Sequence, residues 1–136
     1  MAQLQLEVVT PDRSVLSESV DAVTIPGLGG ELGILPGHTP LISQLQTGVL
    51  SYTTGGRTLQ LHVSGGFLEV KDDHVSVLAE IAERPEEIDA ARARLAREHV
   101  EKELNSWSGT EEDFEKARTR LERSVVRLQL AGGSRN

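Results

Sequence analysis

Hydrophobic and polar residues alternate with a period of two through the first part of the chain. Leu4, Leu6 and Val8 alternate with polar residues, and the same pattern recurs in several later segments. This period is typical of a β-strand with one buried face. Gly55-Gly56 and Asp72-Asp73 fall between such segments and have the composition of tight hairpin turns. The pattern predicts eight to ten short antiparallel strands with no helix between them, arranged as a β-sandwich or flattened barrel.

A further pair of glycines, Gly65-Gly66, falls between two of the predicted strands. Residues 59–63 alternate with leucine and valine on one face, and Gly65-Gly66 follows them. After the glycines, residues 68–70 alternate again, and we predict that they pair with residues 75–77 in an antiparallel meander.

The periodicity changes between residues 80 and 93. Alternation stops, Arg84-Pro85 follows, and a pattern of alanine, arginine and glutamate with helical spacing begins. Proline suits the first position of a helix because its missing N–H costs nothing there, and Glu86 and Glu87 suit the positive end of the helix dipole. We therefore predict a helix from about Pro85 to Leu104 and two domains, residues 1–84 and residues 85–136.

A second helix is predicted after Ser106–Gly109, with Thr110 as its N-cap and Gly132-Gly133 at its end. Its apolar residues recur at three- and four-residue steps at Phe114, Ala117, Leu121, Val125 and Leu128. The first helix has only thin apolar strips, which are Ile88, Ala91 and Leu95 on one side and Ala93, Ala96, Val100 and Trp107 beside it. The short loop predicts an antiparallel helical hairpin. Because alanine buries little area, we expect the hairpin to need contacts with the sandwich or a partner and to be able to exchange them.

Composition and charge exclude several classes of function. A net charge of -7 and an aromatic content of 3% oppose nucleic-acid binding. No apolar run approaches the roughly 20 residues that cross a bilayer, and the amino terminus lacks the features of a signal peptide, so we expect a cytosolic or peripheral protein. The chain has no cysteine, and its four histidines are scattered, which predicts no metal site.

No catalytic motif is recognisable in the sequence. The chain lacks a Ser-His-Asp motif, a phosphate-binding loop and an HExxH zinc motif. Residues 33–41 form a loop unusually rich in glycine and proline, for which an ordinary sandwich loop and a binding loop are both open interpretations.

Four stretches in order resemble the epsilon subunit of the F-type ATP synthase. They are Val-Thr-Pro-Asp at 9–12, Gly-Glu-Leu-Gly at 30–33 running through Gly-His-Thr-Pro at 37–40, Val-Ser-Gly-Gly-Phe at 63–67 with residues 75–83, and Lys-Ala-Arg at 116–118 with Leu121. The resemblance covers nearly the whole chain. It implies an amino-terminal β-sandwich of about ten strands followed by a two-helix hairpin.

This resemblance also implies a non-catalytic rotor subunit with defined partners. The sandwich would bind the gamma subunit and rest on the membrane c-ring, so that proton-driven rotation reaches the catalytic head. The hairpin would inhibit ATP hydrolysis when it extends along gamma into the catalytic alpha/beta head. The implied location is peripheral, on the cytoplasmic face of the bacterial plasma membrane or, as a second choice, on the stromal face of the thylakoid. No cofactor is required.

Two groups of site residues follow from the resemblance. Glu31 and the loop around His38 are expected at the rotor interface, with a solvated turn acid as the alternative for Glu31. Residues 88–93, Ile-Asp-Ala-Ala-Arg-Ala, fit a motif through which some bacterial members bind ATP as a regulatory ligand.

In that motif the arginines would meet the phosphates, and the other members would read the adenine and ribose. The complete expected set is Glu83, Ile88, Asp89, Arg92, Ala93, Arg123 and Arg127. His99 departs from the pattern, because arginine is usual there in the nucleotide-binding members. The alternative is an Asp-Arg pair that only stabilises the hairpin, and the rival for the whole chain is a stand-alone β-sandwich enzyme or small-ligand-binding module.

Overall fold

A computed structural model describes residues 2–133 of the chain. The chain divides into two compact units, with the boundary between Arg84 and Pro85. The first contains eight β-strands among the described residues, which are β1 (Leu4–Val9), β2 (Ser14–Val20), β3 (Ala22–Gly27), β4 (Gly30–Ile34), β5 (Leu41–Gln44), β6 (Gly48–Thr54), β7 (Arg57–Lys71) and β8 (His74–Glu83). The second contains a 3-10 turn (Pro85–Glu87) and two helices, α1 (Ala90–Asn105) and α2 (Glu111–Gly133). The predicted β-sandwich followed by two helices is confirmed.

The strands follow the order β2-β1-β8-β7-β6-β3-β4, and β5 pairs with β7 beside this path. All neighbours are antiparallel except β1 and β8, which are parallel. The first half of β7 pairs with β6, which leads on to β3 and β4, and the second half pairs with β5. On its other side β7 pairs with β8 along most of its length. The sheet is therefore organised around β7.

The alternation seen in the sequence corresponds to the buried face of the strands. Leu6, Val8, Leu50, Leu61 and Val63 are each at most 1% exposed. They belong to one hydrophobic core within the first unit. Burying side chains of this size contributes roughly 1.5–3 kcal/mol each.

Gly65 and Gly66 lie inside β7, where the sequence predicted a break between two strands. Both have positive φ, +72° and +98°, a region that side chains other than glycine rarely adopt. A Cβ on Gly66 would overlap the carbonyl oxygen of Leu78 on the neighbouring strand. Because the two glycines allow this close approach, β7 continues in one register with β8 from His62 to Lys71. This is one reason why eight strands are observed where about ten were expected.

The first helix begins later than the sequence predicted. Pro85–Glu87 form a 3-10 turn, and α1 starts at Ala90. Asp89 has an extended backbone, and its Oδ1 accepts a hydrogen bond from Arg92 N at 3.0 Å. The side chain of Asp89 therefore caps the helix, and this cap rather than Pro85 fixes where α1 begins.

The second helix begins as predicted. Thr110 Oγ1 accepts a hydrogen bond from Asp113 N at 3.1 Å, which is the expected N-cap. In the loop before it, Trp107 packs edge-on against Phe114, with ring centroids 5.6 Å apart. Glu103 on α1 and Arg120 on α2 form an ion pair at 3.2 Å. These contacts join the two helices near the loop.

The buried faces of the helices differ in part from the predicted strips. On α1, Ala93 and Val100 are buried, whereas Leu95 of the other strip is 67% exposed. On α2, Ala117 is buried as expected, whereas Val125 is exposed. Of the two apolar strips on α1, it is therefore the one with Ala93 and Val100 that supplies the buried side chains.

Replacing Gly66 by alanine tests the role of the close approach in β7. We expect Gly66→Ala to lower the free energy of unfolding by about 3 kcal/mol, because the added methyl group clashes with backbone and the positive φ becomes strained. Gly29→Ala is the matched control, since a Cβ there meets nothing within 4 Å and φ is not positive. Urea unfolding of the two variants measures the difference, and equal midpoints would contradict this account.

Candidate functional site

Glu31 lies at an exposed hairpin end of the first unit. It is in β4, opposite Pro26 of β3, next to a turn at which Leu28 is 58% exposed. Gln46 supports this turn from below, because its N–H donates to Pro26 O at 2.8 Å and its Nε2 donates to Leu28 O at 3.1 Å. Glu31 therefore projects from a well-supported turn.

His38 lies in the connection between β4 and β5, which spans residues 35–40. Gly37 N donates to Asp73 Oδ1 at 2.7 Å, and His38 N donates to Leu35 O at 3.1 Å. The His38 ring Nδ1 lies 2.7 Å from Thr39 O, so this nitrogen carries the proton and donates. The connection is thus held in place by its own hydrogen bonds and by the turn between β7 and β8.

The structure does not bring Glu31 and His38 together. Glu31 is the second residue of β4, and His38 lies four positions beyond the last residue of this five-residue strand. A strand of this length corresponds to about 13 Å. The two residues expected at one rotor interface therefore mark two separate places on the sandwich.

A third surface of the sandwich carries exposed apolar side chains. Ile42, Phe67 and Leu78 are 71%, 53% and 56% exposed. Phe67 is directly opposite Leu78 across β7 and β8, and Leu78 is beside Val9 of β1. We call Ile42, Phe67 and Leu78 the apolar patch. Ile42 is opposite Glu69, so it lies on the same face of the sheet as Phe67 and diagonal to it. Exposed apolar residues grouped on one face of a sheet make this surface a candidate interaction site.

A groove of about 320 Å³ borders the apolar patch. Val9, Pro11 and Leu78 line it together with Thr10, Ala79 and Glu80. This surface is not among the sites predicted from the sequence. The available signal was that Leu78 and Phe67 are hydrophobic residues on the polar phase of their strands, in line with Ser76 and Glu69.

His62 and Glu83 form a polar pair inside the first unit. His62 is fully buried in β7, opposite Glu83 at the end of β8. Its Nδ1 lies 2.7 Å from Glu83 Oε1, and among the described residues its Nε2 has no hydrogen-bond partner. Because a carboxylate oxygen only accepts, the His62 Nδ1–H donates this hydrogen bond to Glu83. Glu83 is held at the end of the sheet by this bond.

The remaining residues of the expected ATP set lie in the helical unit. Asp89 is the N-cap of α1, Ala93 is buried, and Arg92 is exposed in the first turn. Ile88 is half-buried, and its N–H donates to Pro85 O at 3.1 Å. The structure therefore gives Asp89 and Ala93 local structural roles and leaves the Arg92 side chain exposed.

Arg123 and Arg127 are half-buried on α2, and each has an interaction partner. The pairing of Glu103 with Arg120 sets the register of the two helices. At 1.5 Å per residue, Arg127 lies within roughly 6 Å of the level of Arg92 along the hairpin, whereas Arg123 lies roughly 12 Å from it. Of the two arginines on α2, Arg127 is thus the better placed to bind the same phosphates as Arg92. His99, the position that departs from the motif, is exposed on α1.

No group of three or more histidine, cysteine, aspartate or glutamate residues that could hold a metal ion occurs among residues 2–133. No helix in this part of the chain is both long and apolar enough to span a membrane.

Comparison with protein families gives two matches that follow the two units. Residues 3–85 match the model of the ATP synthase delta/epsilon chain, beta-sandwich domain. Residues 86–132 match the model of the ATP synthase delta/epsilon chain, long alpha-helix domain.

Similar proteins of known name are ATP synthase epsilon chains. That of Desulforamulus reducens is 45% identical over 132 residues, covering 96% of this chain and 99% of the relative. That of Nitratidesulfovibrio vulgaris is 47% identical over 131 residues, covering 96% and 97%.

Among solved structures, a chain of the Euglena gracilis mitochondrial ATP synthase matches with a TM-score of 0.80 and 29% identity, over 100% of this chain and 83% of that one. A chain of the Tetrahymena thermophila mitochondrial ATP synthase central stalk and c-ring structure has a TM-score of 0.65, 96% and 97% coverage and 14% identity, which shows the fold alone.

Proposed function

The chain belongs to the ATP synthase delta/epsilon chain family, and we propose that it couples rotation of the c-ring, through the gamma subunit, to ATP synthesis. It is a non-catalytic stalk subunit of an F-type ATP synthase. The observation that carries the proposal is the match of both units, over nearly the full length, to epsilon chains. Because the chain belongs to this family, we do not retain the alternative interpretation as a stand-alone enzyme or small-ligand-binding module. We place the chain peripherally, on the cytoplasmic face of the bacterial plasma membrane.

The apolar patch is our candidate surface for the gamma subunit. Ile42, Phe67 and Leu78 expose apolar area on strands whose backbones are fixed by neighbours on the sheet. A rigid surface of this kind binds without a large ordering cost, and aromatic and aliphatic side chains at its centre supply most of the binding energy. The connection that contains His38 runs directly into β5 and Ile42, so we assign it to the same partner.

Glu31 is our candidate contact to the c-ring. It lies at the other end of β4, beside the exposed Leu28. An acidic side chain on a supported hairpin turn suits polar loops of a partner, because it can accept hydrogen bonds from backbone N–H groups or pair with basic residues. Separate places for Glu31 and His38 agree with two different partners.

Introducing a charge into the apolar patch tests its role. We expect Leu78→Arg to weaken the complex with gamma at least about tenfold, because binding would bury an unpaired charge. Because Leu78 is already exposed, the fold should be kept. Thr58→Arg is the matched control, since Thr58 is exposed at the start of β7, roughly 30 Å from Phe67 of the patch.

Co-elution with gamma on a sizing column measures this effect. Wild type and Thr58→Arg should give a one-to-one complex, and Leu78→Arg should elute alone at the same concentration. Equal co-elution of all three would remove the patch from the interface. Failure of the wild-type chain to bind gamma in any buffer would contradict the rotor function itself.

We propose that the helical unit inhibits ATP hydrolysis by extending into the catalytic alpha/beta head. Its own packing supports a moving part, because α1 buries little more than Ala93 and Val100 and leaves Leu95 exposed. Small buried areas correspond to small free energies, so that a partner can compete for the same helices. The inhibitory contact would then replace contacts of the compact form.

Removal of all residues after Arg84 tests the inhibitory role. Arg84 should be retained because its Nη2 donates to Val15 O at 2.8 Å and so belongs to the sandwich. We expect the truncated chain to assemble and support synthesis, while hydrolysis by the complex rises about fivefold or more. ATPase assays on complexes of equal subunit content measure this. Unchanged hydrolysis would show that the helices do not inhibit.

We also propose that ATP is a regulatory ligand of this chain. Arg92, Arg123 and Arg127 are assigned to the phosphates, and Glu83, Asp89 and Ile88 to the adenine and ribose. The exposed Arg92 in the first turn of α1 supports this, because the N-terminus of a helix favours negative charge. Ala93 serves close packing at the same turn.

Arg92 is the residue with which to test ATP binding, because changing Asp89 would also remove the cap of α1. We expect Arg92→Ala to weaken ATP binding about tenfold or more, since a charge-assisted bond to phosphate contributes about 1.5–3 kcal/mol. Arg94→Ala, an exposed arginine on the same helix, is the control. Calorimetry at millimolar ATP decides: no heat with the wild type, or equal binding by both variants, would contradict the site.

A further inference from the structure

Asp73 connects three parts of the sandwich through its hydrogen bonds. Its Oδ1 accepts a hydrogen bond from Gly37 N at 2.7 Å, and its backbone oxygen accepts one from Gln5 N at 2.8 Å. Asp73 itself is in the turn between β7 and β8. The turn, the start of β1 and the connection 35–40 therefore meet at one residue.

The backbone at this turn is unusual for the residues that occupy it. Asp72 and Asp73 have φ of 50° and 60° and are the non-glycine residues with positive φ in the described chain. Glycine would adopt this region without strain, and aspartate is tolerated there less well. Gly55-Gly56 in the preceding hairpin shows the glycine solution, with φ of 57° and 77°. The side chain of Asp73 supplies a hydrogen-bond acceptor that glycine lacks, and this acceptor binds the N–H of Gly37.

The connection held by this bond carries exposed side chains and leads directly into β5, the strand that contains Ile42 of the apolar patch. Leu35 is 62% exposed, His38 is three residues further on, and Ile42 of the patch follows in β5. Without the hydrogen bond from Gly37 to Asp73, this loop would have more conformations. Ordering it only when a partner binds would cost conformational entropy. Its internal bonds, from His38 N to Leu35 O and from the His38 ring to Thr39 O, shape the loop but do not attach it to the sheet.

We propose that Asp73 is a positioning residue for partner binding: it holds the connection 35–40 so that Leu35 and His38 extend the apolar patch as one preformed surface for the gamma subunit. This inference rests on the proposed binding of gamma to the patch. Asp73 makes no contact with the partner in this scheme and acts through Gly37.

Three variants separate this role from a general effect on the turn. Asp73→Gly removes the acceptor and fits the positive φ. Asp73→Asn keeps an oxygen at the same place and also tolerates this region. Asp72→Gly relieves the same kind of strain at the adjacent residue, and its side chain makes no hydrogen bond that reaches the connection.

Affinity for gamma and unfolding by urea are measured for each variant of the full chain. We expect Asp73→Gly to bind gamma about fivefold or more weakly with little change in the unfolding midpoint, because a surface loop becomes mobile while the core is untouched. Asp73→Asn and Asp72→Gly should bind like the wild type. Hydrogen exchange at the Gly37 amide should become faster in Asp73→Gly alone.

The outcomes distinguish the inference from the function on which it rests. Equal affinity of Asp73→Gly and wild type would overturn the positioning role, as would equal losses in Asp72→Gly or no recovery in Asp73→Asn. If wild type itself does not bind gamma, the proposed docking fails. Fast exchange at Gly37 in Asp73→Gly would still show that the tie exists.

Discussion

The close backbone approach between Gly66 and Leu78 is the constraint on which the sandwich depends. Because Gly66 has no Cβ, β7 passes Leu78 closely and continues for 15 residues in total. β5 and β6 pair with β7 end to end in one continuous register, and β8 pairs along its other side. The same register places Phe67 opposite Leu78. The strand that organises the core therefore also positions the exposed apolar patch.

On each side of the boundary between Arg84 and Pro85, hydrogen bonds within the same unit hold the chain in place. On the sandwich side, His62 holds Glu83, and Arg84 donates to Val15 O. On the helical side, Asp89 caps α1 through its side chain. Residues 85–88 lie between Arg84 and Asp89. Pro85 has no backbone N–H, so it can donate neither a sheet hydrogen bond nor a helix hydrogen bond. The start of α1 is therefore determined by the Asp89 cap and does not depend on the hydrogen bonds of β8.

Local chemistry in the sequence predicted much of this fold, and the failures have physical causes. Alternation identified the strands, and Thr110 identified the start of α2. The same dipeptide had two outcomes: Gly55-Gly56 forms a turn, whereas Gly65-Gly66 lies within β7. Gly65-Gly66 differs because Gly66 packs against the backbone of Leu78 on another strand. The local sequence around the glycines does not contain that information. The parallel pairing of β1 with β8 is likewise non-local.

Prediction of the sites was limited in a different way. The resemblance to a family supplied residue types, but it did not reveal that Asp89 caps a helix or that Glu31 and His38 lie apart. The apolar patch could have been predicted, because Leu78 breaks the polar phase of its strand. The tie between Asp73 and Gly37 could not, since the two residues are 36 positions apart.

The two units suit their proposed roles because they differ in how firmly their surfaces are held. Phe67 and Leu78 of the patch lie on strands paired on both sides, and Ile42 lies on β5, which pairs with β7. A surface held in this way can transmit force without rearrangement. The helices bury little apolar area, so small free energies can redistribute them. A ligand shifts such an equilibrium only by its difference in affinity for the two forms. ATP at ten times its dissociation constant stabilises the form that binds it by about 1.4 kcal/mol. Weak binding, as expected with His99 in place of arginine, therefore regulates the helices only if their two arrangements differ by no more than about this amount.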